Sequence, residues 1–115
     1  MYIGLDVGTS GTKAALIDRE GRVISSCQVS YNYSDTRDGR RVLDGEEIWR
    51  AVKICLGTAG AGRQIRTITV ASLGEAVLPV DREGRPLYGC ITGTDLRGSE
   101  ELEELEASLG RKMLT

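Results

Sequence analysis

The chain has 115 residues and a formal net charge of −2, and 28% of its residues are charged. That length suits one modest domain, and the balanced charge leaves no basic patch, which argues against a nucleic-acid partner. No apolar run reaches membrane length and the N-terminus shows no signal-peptide pattern, so we expect no membrane partner and a cytoplasmic location.

Three predicted strands open the chain. Apolar or β-branched runs occupy Tyr2 to Val7, Lys13 to Ile17 and Val23 to Tyr31, and only short turns separate them. Consecutive strands joined by short turns pair in antiparallel fashion. The sequence therefore predicts a β-meander, followed by an exposed polar loop over Asn32 to Arg41.

A helix and a fourth strand are predicted next. Asp44, with Glu47 three residues later, fits a capping box, and an apolar stripe of helical spacing runs from Ile48 to Leu56. Glycines between Gly57 and Gly62 end that helix, and Ile65 to Ser72 is the next predicted strand.

The last predicted elements are a hairpin and a second helix. Ala76 to Val80 and Leu87 to Ile91 flank the polar turn Asp81 to Pro86. Ser99 is predicted to cap a helix that ends at Leu109. Leucines lie on one side of this helix, and its acidic run is interpreted as a solvated face.

The absence of histidine and the wide spacing of the cysteines exclude several kinds of catalytic and metal site. Histidine is absent, which excludes histidine-based catalysis and histidine metal sites from these residues. The three cysteines, Cys27, Cys55 and Cys90, are far apart and form no C-x-x-C pair. We therefore expect reduced, buried thiols rather than a disulfide framework or a zinc site.

The turn between the first two predicted strands has the composition of a phosphate-binding loop. Asp6 stands near the end of the first strand, Gly8-Thr9-Ser10-Gly11-Thr12 makes the turn, and Lys13 opens the second strand. Glycines let backbone N–H groups approach an anion, and hydroxyls add donors. An acid can hold a metal or its water shell, and a lysine can meet phosphate oxygens. The alternative is an ordinary tight hairpin with Asp6 as a turn former.

The spacing excludes two commoner glycine-rich loops. A Walker A loop needs G-x-x-x-x-G-K-[ST] leading into a helix, but Ala14 follows Lys13 here. A dinucleotide-binding fingerprint needs G-x-G-x-x-G, a spacing that Gly8 and Gly11 do not give.

The pattern that remains, strand, D-x-G-T-S-x-T-K, strand, resembles the first phosphate loop of the actin, hexokinase and Hsp70 ATPase superfamily. More narrowly, it resembles the FGGY carbohydrate kinases. The resemblance implies ATP and Mg²⁺ as cofactors, with Asp6 organising the metal through water and Gly8 to Lys13 contacting phosphates. It also implies an α/β fold: a ribonuclease-H-like (actin-like ATPase) half-domain. Its mixed sheet would begin with the meander, in the order βββαβ, before the hairpin and C-terminal helix.

A second stretch, Ile68 to Arg97, carries the closer resemblance to the FGGY kinases. Gly74 and Glu75 occupy a sugar-contacting position, and Asp95 and Arg97 match the acid and the arginine of a Trp-x-Asp-x-Arg-like motif. The resemblance implies that these four residues contact a small-molecule sugar or polyol.

One position of that motif departs from the family pattern. Gly93 stands where the family usually has tryptophan, and losing the indole removes an apolar wall for a sugar face. Glu75 instead offers acceptor oxygens suited to a polyol. The alternatives are that Glu75 is an exposed loop acid and that Asp95 is a cap before Leu96.

Together the two motifs predict that residues 1–115 are the N-terminal part of an FGGY kinase domain. The parent protein would be an ATP-dependent kinase that phosphorylates a pentulose, hexulose or polyol. FGGY kinases are several times longer than this chain, so we expect the general base and adenosine pocket beyond Thr115, and no activity from these residues alone. The alternatives are a non-catalytic relative of actin or Hsp70, and an acyl-phosphate or N-acetyl-sugar kinase.

The same expectation of a truncated chain predicts self-association. Apolar faces bearing Ile68, Val70 and Leu102 would be left uncovered, and an uncovered strand edge or apolar patch favours pairing with another copy.

Overall fold

The computed structural model describes residues 1–110, which contain seven strands and two α-helices. A single turn of 3₁₀-helix, Arg37–Gly39, lies between the third and fourth strands. The elements in chain order are β1 (Tyr2–Val7), β2 (Gly11–Ile17), β3 (Val23–Ser30), β4 (Val42–Leu43), α1 (Gly45–Ala59), β5 (Thr67–Ser72), β6 (Ala76–Val77), β7 (Cys90–Thr92) and α2 (Ser99–Leu109).

The larger sheet has four strands in the order β3-β2-β1-β5. β1 pairs antiparallel with β2 and parallel with β5, and β2 pairs antiparallel with β3. A parallel pair needs a crossover connection, and α1 supplies it between β3 and β5. The predicted meander, the order βββαβ and the mixed sheet are therefore confirmed.

Helix α1 covers one face of the larger sheet. Ile3, Leu5 and Leu16 are 3%, 5% and 1% exposed, and they pack with Val52 and Cys55 of α1 in one apolar cluster. Because side chains alternate along a strand, the residues between them project from the opposite face. That open face carries the polar side chains described below.

The ends of α1 follow the sequence signals. The Asp44 carboxylate accepts hydrogen bonds from the N–H groups of Glu46 at 2.9 Å and Glu47 at 3.4 Å, so the predicted N-cap is confirmed. The Glu47 carboxylate accepts a hydrogen bond from the Arg50 guanidinium at 3.5 Å. At the other end, the N–H of Gly60 donates to the Leu56 carbonyl.

The predicted hairpin forms part of a small second sheet in the order β4-β7-β6. β6 and β7 pair antiparallel as predicted, although each is shorter than expected, and an isolated bridge joins Val80 to Pro86. Strand β4, which the sequence did not predict, lies on the other side of β7. Leu43 and Cys90 from this sheet pack with Tyr31 and with Ala51 of α1 in a second buried cluster.

Helix α2 packs little against the other described elements. None of its residues is buried, and Leu102, Leu105 and Leu109 are 51%, 45% and 48% exposed. The predicted Ser99 cap is wrong: Gly98 is the N-cap, because the Ser99 hydroxyl donates backwards to the Leu96 carbonyl at 2.7 Å. Neither helix in the described part of the chain has the length and apolar character to cross a membrane.

We predict that isolated residues 1–115 self-associate through β5. Every residue of this strand is exposed, with Ile68 at 47% and Val70 at 59%, and β1 is its one strand partner within residues 1–110. A charge on an edge strand blocks such pairing. Sedimentation velocity should therefore show dimers or larger species for the natural chain and a monomer for Val70→Lys.

A matched control is Leu87→Lys, because Leu87 is 68% exposed outside the named strands. It should leave the association unchanged. A natural chain that stays monomeric at high concentration would contradict the prediction.

Candidate functional site

The predicted phosphate loop is a tight turn between β1 and β2. The N–H of Gly8 donates to the Gly11 carbonyl at 3.0 Å, which closes the turn over Thr9 and Ser10. A side chain at Gly11 would place its Cβ 2.6 Å from the Val29 carbonyl oxygen. The close packing of the loop against β3 therefore requires glycine at this position.

Tyr31, directly after β3, supports this loop through hydrogen bonds, and the sequence analysis did not predict it. The Tyr31 hydroxyl donates to the Gly8 carbonyl at 2.7 Å, and its backbone N–H donates to the Ser10 carbonyl at 3.2 Å. Because a phenol has one proton, the Thr12 hydroxyl, 3.3 Å away, donates to the Tyr31 oxygen. The antiparallel register, which pairs Gly11 with Ser30, is the signal that would have placed Tyr31 beside the turn.

The hydroxyl of Thr12 faces the core rather than the open side of the loop. Thr12 is fully buried, and its carbonyl accepts a hydrogen bond from the Cys55 thiol at 3.3 Å. Thr9 is half-buried and Ser10 is exposed. These are the two predicted hydroxyl donors, and an anion over the loop can reach both, whereas the Thr12 hydroxyl is turned away from it.

Asp6 and Lys13 lie side by side on the open face of the larger sheet. They are cross-strand partners in the β1–β2 register, and both are exposed. Neither forms an ion pair within residues 1–110, so their charges are available to a ligand. Together they line a cavity of about 540 Å³ on this face.

A metal at this place would have one protein carboxylate. No group of three or more aspartate, glutamate, cysteine or histidine side chains comes together in the described part of the chain. Mg²⁺ commonly keeps several waters and binds through one or two carboxylates plus substrate phosphates. The single free carboxylate of Asp6 fits that mode of binding.

The second predicted group, Gly74 and Glu75, meets the phosphate loop at one edge of the sheet. Parallel pairing aligns Val7 with Ser72, and the Ser72 hydroxyl donates to the Val7 carbonyl at 3.3 Å. Both strands therefore end at the same edge. Thr9 beyond β1 and Glu75 beyond β5 line a common cavity of about 270 Å³.

Asp95 and Arg97 lie apart from that cavity and bind each other. The Asp95 carboxylate accepts hydrogen bonds from Arg97 Nε at 2.9 Å and Nη2 at 2.8 Å, and from the Arg41 N–H at 2.8 Å. The side chain of Asp95 is 5% exposed. Arg97 also donates to the Tyr88 hydroxyl at 3.2 Å. The geometry gives this pair a structural role, and its contact with a sugar stays a prediction.

The cysteines do not form a nucleophilic site. All three are free, as the sequence predicted, and Cys55 and Cys90 are buried. Burial, reinforced by the neighbouring Cys27 thiol, raises the pKa of Cys55 to about 11. Because the thiolate is the reactive form, this thiol is chemically quiet at neutral pH.

The sheet order, the crossover helix and the glycine turn with its acid and lysine define the class of the protein. It has the actin-like ATPase fold in the form found in sugar kinases. The model of the FGGY family of carbohydrate kinases, N-terminal domain, matches residues 1–115. The chain belongs to this family.

Named relatives agree with the family match. A xylulose kinase from Staphylococcus xylosus is 30% identical over 117 residues, and the match covers 97% of this chain and 24% of the relative. A glycerol kinase from Thermococcus gammatolerans is 33% identical over 113 residues, with 94% and 23% covered. The crystal structure of xylulose kinase from Rhodospirillum rubrum superposes with a TM-score of 0.84 at 28% identity, over 96% of this chain and 24% of that one. The chain thus spans about a quarter of the length of these relatives.

We predict that Asp95→Asn flattens the loss of stability in acid. Hydrogen bonds from the Arg97 side chain, and then from the Arg41 N–H, hold the pKa of Asp95 below its ordinary value of 3.8. The unfolded chain therefore takes up this proton at a higher pH than the folded chain does. The stabilisation is present above about pH 4 and is lost as the pH falls below it.

Thermal denaturation of residues 1–115 between pH 6 and pH 3 measures this effect. The melting temperature of Asp95→Asn should fall less steeply below about pH 4 than that of the natural chain. Glu103→Gln, on exposed α2, is the control and should keep the natural slope. Identical slopes for the natural chain and Asp95→Asn would contradict the prediction.

Proposed function

We propose that this chain is the phosphate- and sugar-binding portion of an ATP-dependent kinase that phosphorylates a hydroxyl of a pentulose, hexulose or polyol. The observation that carries the proposal is the shared cavity of Thr9 and Glu75. This cavity supports the proposal because Thr9 belongs to the turn proposed to bind phosphate and Glu75 is the carboxylate proposed to bind sugar hydroxyls. Phosphoryl transfer needs those two groups next to each other.

Each residue at the phosphate end has a stated role in this proposal. Asp6 holds Mg²⁺ through its water shell, and Lys13 supplies positive charge to the phosphate oxygens. The N–H groups and hydroxyls of Thr9 and Ser10 contact the phosphates, whereas the Gly8 N–H closes the turn by donating to the Gly11 carbonyl. The bound Mg²⁺–ATP supplies the transferred phosphoryl group and neutralises charge between the phosphates.

The sugar end rests on Glu75. Its ionised carboxylate accepts hydrogen bonds from substrate hydroxyls. Gly74 lines the same cavity and leaves space there because it has no side chain. Asp95 and Arg97, which bind each other, are also proposed to contact the sugar. The general base is proposed to come from another part of the protein, and residues 1–115 alone are expected to make no sugar phosphate.

The family match favours this function over the two alternatives from the sequence. A filament protein or chaperone related to actin or Hsp70, and an acyl-phosphate or N-acetyl-sugar kinase, share the phosphate turn. The match to the FGGY N-terminal domain over residues 1–115 favours a kinase of the FGGY family over each of these alternatives.

We predict that Asp6→Ala in the intact protein lowers kcat by about 100-fold, because removing one preorganised electrostatic group from an active site has an effect of that order. The KM for the sugar should change little, since Asp6 lies at the phosphate end. Steady-state kinetics with xylulose and glycerol measure both parameters. Glu103→Ala on α2 is the control, and a normal kcat for Asp6→Ala would reduce the turn to an ordinary hairpin.

We predict that Glu75→Gln acts on the sugar instead. Replacing a charged acceptor with an amide weakens hydrogen bonds worth about 1.5–3 kcal/mol, so kcat/KM for the sugar should fall by about 10- to 100-fold. The KM for ATP should stay the same. Glu83→Gln is a matched control, because Glu83 is an exposed glutamate between β6 and β7. Glu75 is exposed in the structure, and unchanged sugar kinetics for Glu75→Gln would leave it a loop acid with no part in substrate binding.

A further inference from the structure

Gly93 lies directly against the side chain of Glu75. A Cβ atom at Gly93 would be 2.6 Å from Glu75 Oε2 and 2.9 Å from Glu75 Cβ. Real Cβ atoms essentially never make contacts this short. Gly93 is not among the glycines with positive φ, so backbone conformation does not require glycine here. Rotation of the Glu75 side chain relieves the Oε2 contact but not the Cβ contact, so a side chain at position 93 displaces Glu75.

The register of the small sheet sets Glu75 and Gly93 opposite each other. β6 and β7 pair antiparallel with Ala76 opposite Thr92 and Val77 opposite Ile91. Glu75 precedes Ala76 and Gly93 follows Thr92, so the two residues are the next opposed pair. Regular cross-strand neighbours have Cβ atoms about 5 Å apart, whereas a Cβ at Gly93 would lie only 2.9 Å from that of Glu75. The two strands therefore approach more closely at this pair than in a regular ladder, and glycine makes that approach possible.

Glu75 is also the charged residue among those that line its cavity. Gly93 and Glu75 line the cavity of about 270 Å³ together with Thr9, Thr92 and Thr94. The Thr92 hydroxyl donates to the Arg41 carbonyl at 3.0 Å and lies 3.1 Å from the Thr94 hydroxyl. Within residues 1–110 no ion pair neutralises Glu75.

From these contacts we infer that Gly93 is a positioning residue that keeps the Glu75 carboxylate at the cavity, and that the pair selects neutral polyols and ketoses over sugar acids. The inference rests on the proposed function. Hydroxyl groups of a neutral substrate donate to the carboxylate. The carboxylate of a sugar acid would meet a like charge, which opposes binding.

The test uses the intact protein with glycerol, xylulose and gluconate as probes. The natural protein should phosphorylate at least one neutral probe with a kcat/KM at least 10-fold higher than that for gluconate. Gly93→Ala should raise the KM for the neutral probe and reduce this preference, with an unchanged KM for ATP. A general loss of folded protein would lower all rates together and leave the preference unchanged.

Two further variants separate steric displacement from misfolding. Gly57→Ala adds a methyl group at an exposed position of α1, where no atom lies within 4 Å of it. This variant should behave like the natural protein. Glu75→Gly removes both atoms that the new methyl group would strike. In that background, Gly93→Ala should cause no further drop in the melting temperature or in the preference between probes.

The outcomes distinguish the inference from the proposed function. A natural protein that phosphorylates none of the three probes, nor fructose as a hexulose, contradicts both. A protein that phosphorylates gluconate as well as the neutral probes, or better, is still a carbohydrate kinase but overturns the inference. The inference is equally overturned if Gly93→Ala keeps the natural preference, or if its effect is the same with and without Glu75.

Discussion

Parallel pairing of β1 with β5 is the constraint on which the whole candidate site depends. It sets the ends of the two strands at one edge of the sheet, with Val7 aligned to Ser72. Thr9 and Glu75 are far apart in sequence, yet each follows its strand by only a few residues, so this one register brings them to a common cavity. Helix α1 makes the pairing possible, because it carries the chain from the meander back to the start of β5 and covers the apolar face of the sheet.

A second layer of contacts holds the proposed phosphate loop in place through hydrogen bonds from its neighbours. Tyr31 bonds the Gly8 carbonyl through its hydroxyl and the Ser10 carbonyl through its N–H. Thr12 bonds Tyr31 from the core side, and Cys55 of α1 bonds Thr12. Buried polar groups without partners are costly, so these hydrogen bonds leave the turn few alternative conformations. Preorganised donors are the kind that stabilise a transition state, because they need no rearrangement during the reaction.

Sequence reasoning succeeded where local chemistry determines structure. The glycine turn, the alternating strands and the Asp44 cap each depend on residues only a few positions apart, and all three are present.

Sequence reasoning failed chiefly where a partner distant in sequence determines the structure. Strand β4 has two residues and exists because β7 pairs with it. One failure was local, because the Ser99 hydroxyl donates to the Leu96 carbonyl three residues back instead of capping α2. The mutual binding of Asp95 and Arg97, closed by the Arg41 N–H, depends on a segment more than fifty residues upstream. The position of Tyr31 follows from pairing geometry that single residues do not reveal.

The exposure of α2 within residues 1–110 predicts that this helix opens more easily than the other described elements. This helix has eleven residues and none of them is buried, and helices shorter than about 12–15 residues are marginal in water without packing. Its amide hydrogens therefore exchange with solvent through local opening, at a free energy well below that for opening the meander and α1. The residues of the candidate site belong to the slower cooperative unit. The site can thus keep its shape through many openings and closings of the acidic helix that follows it.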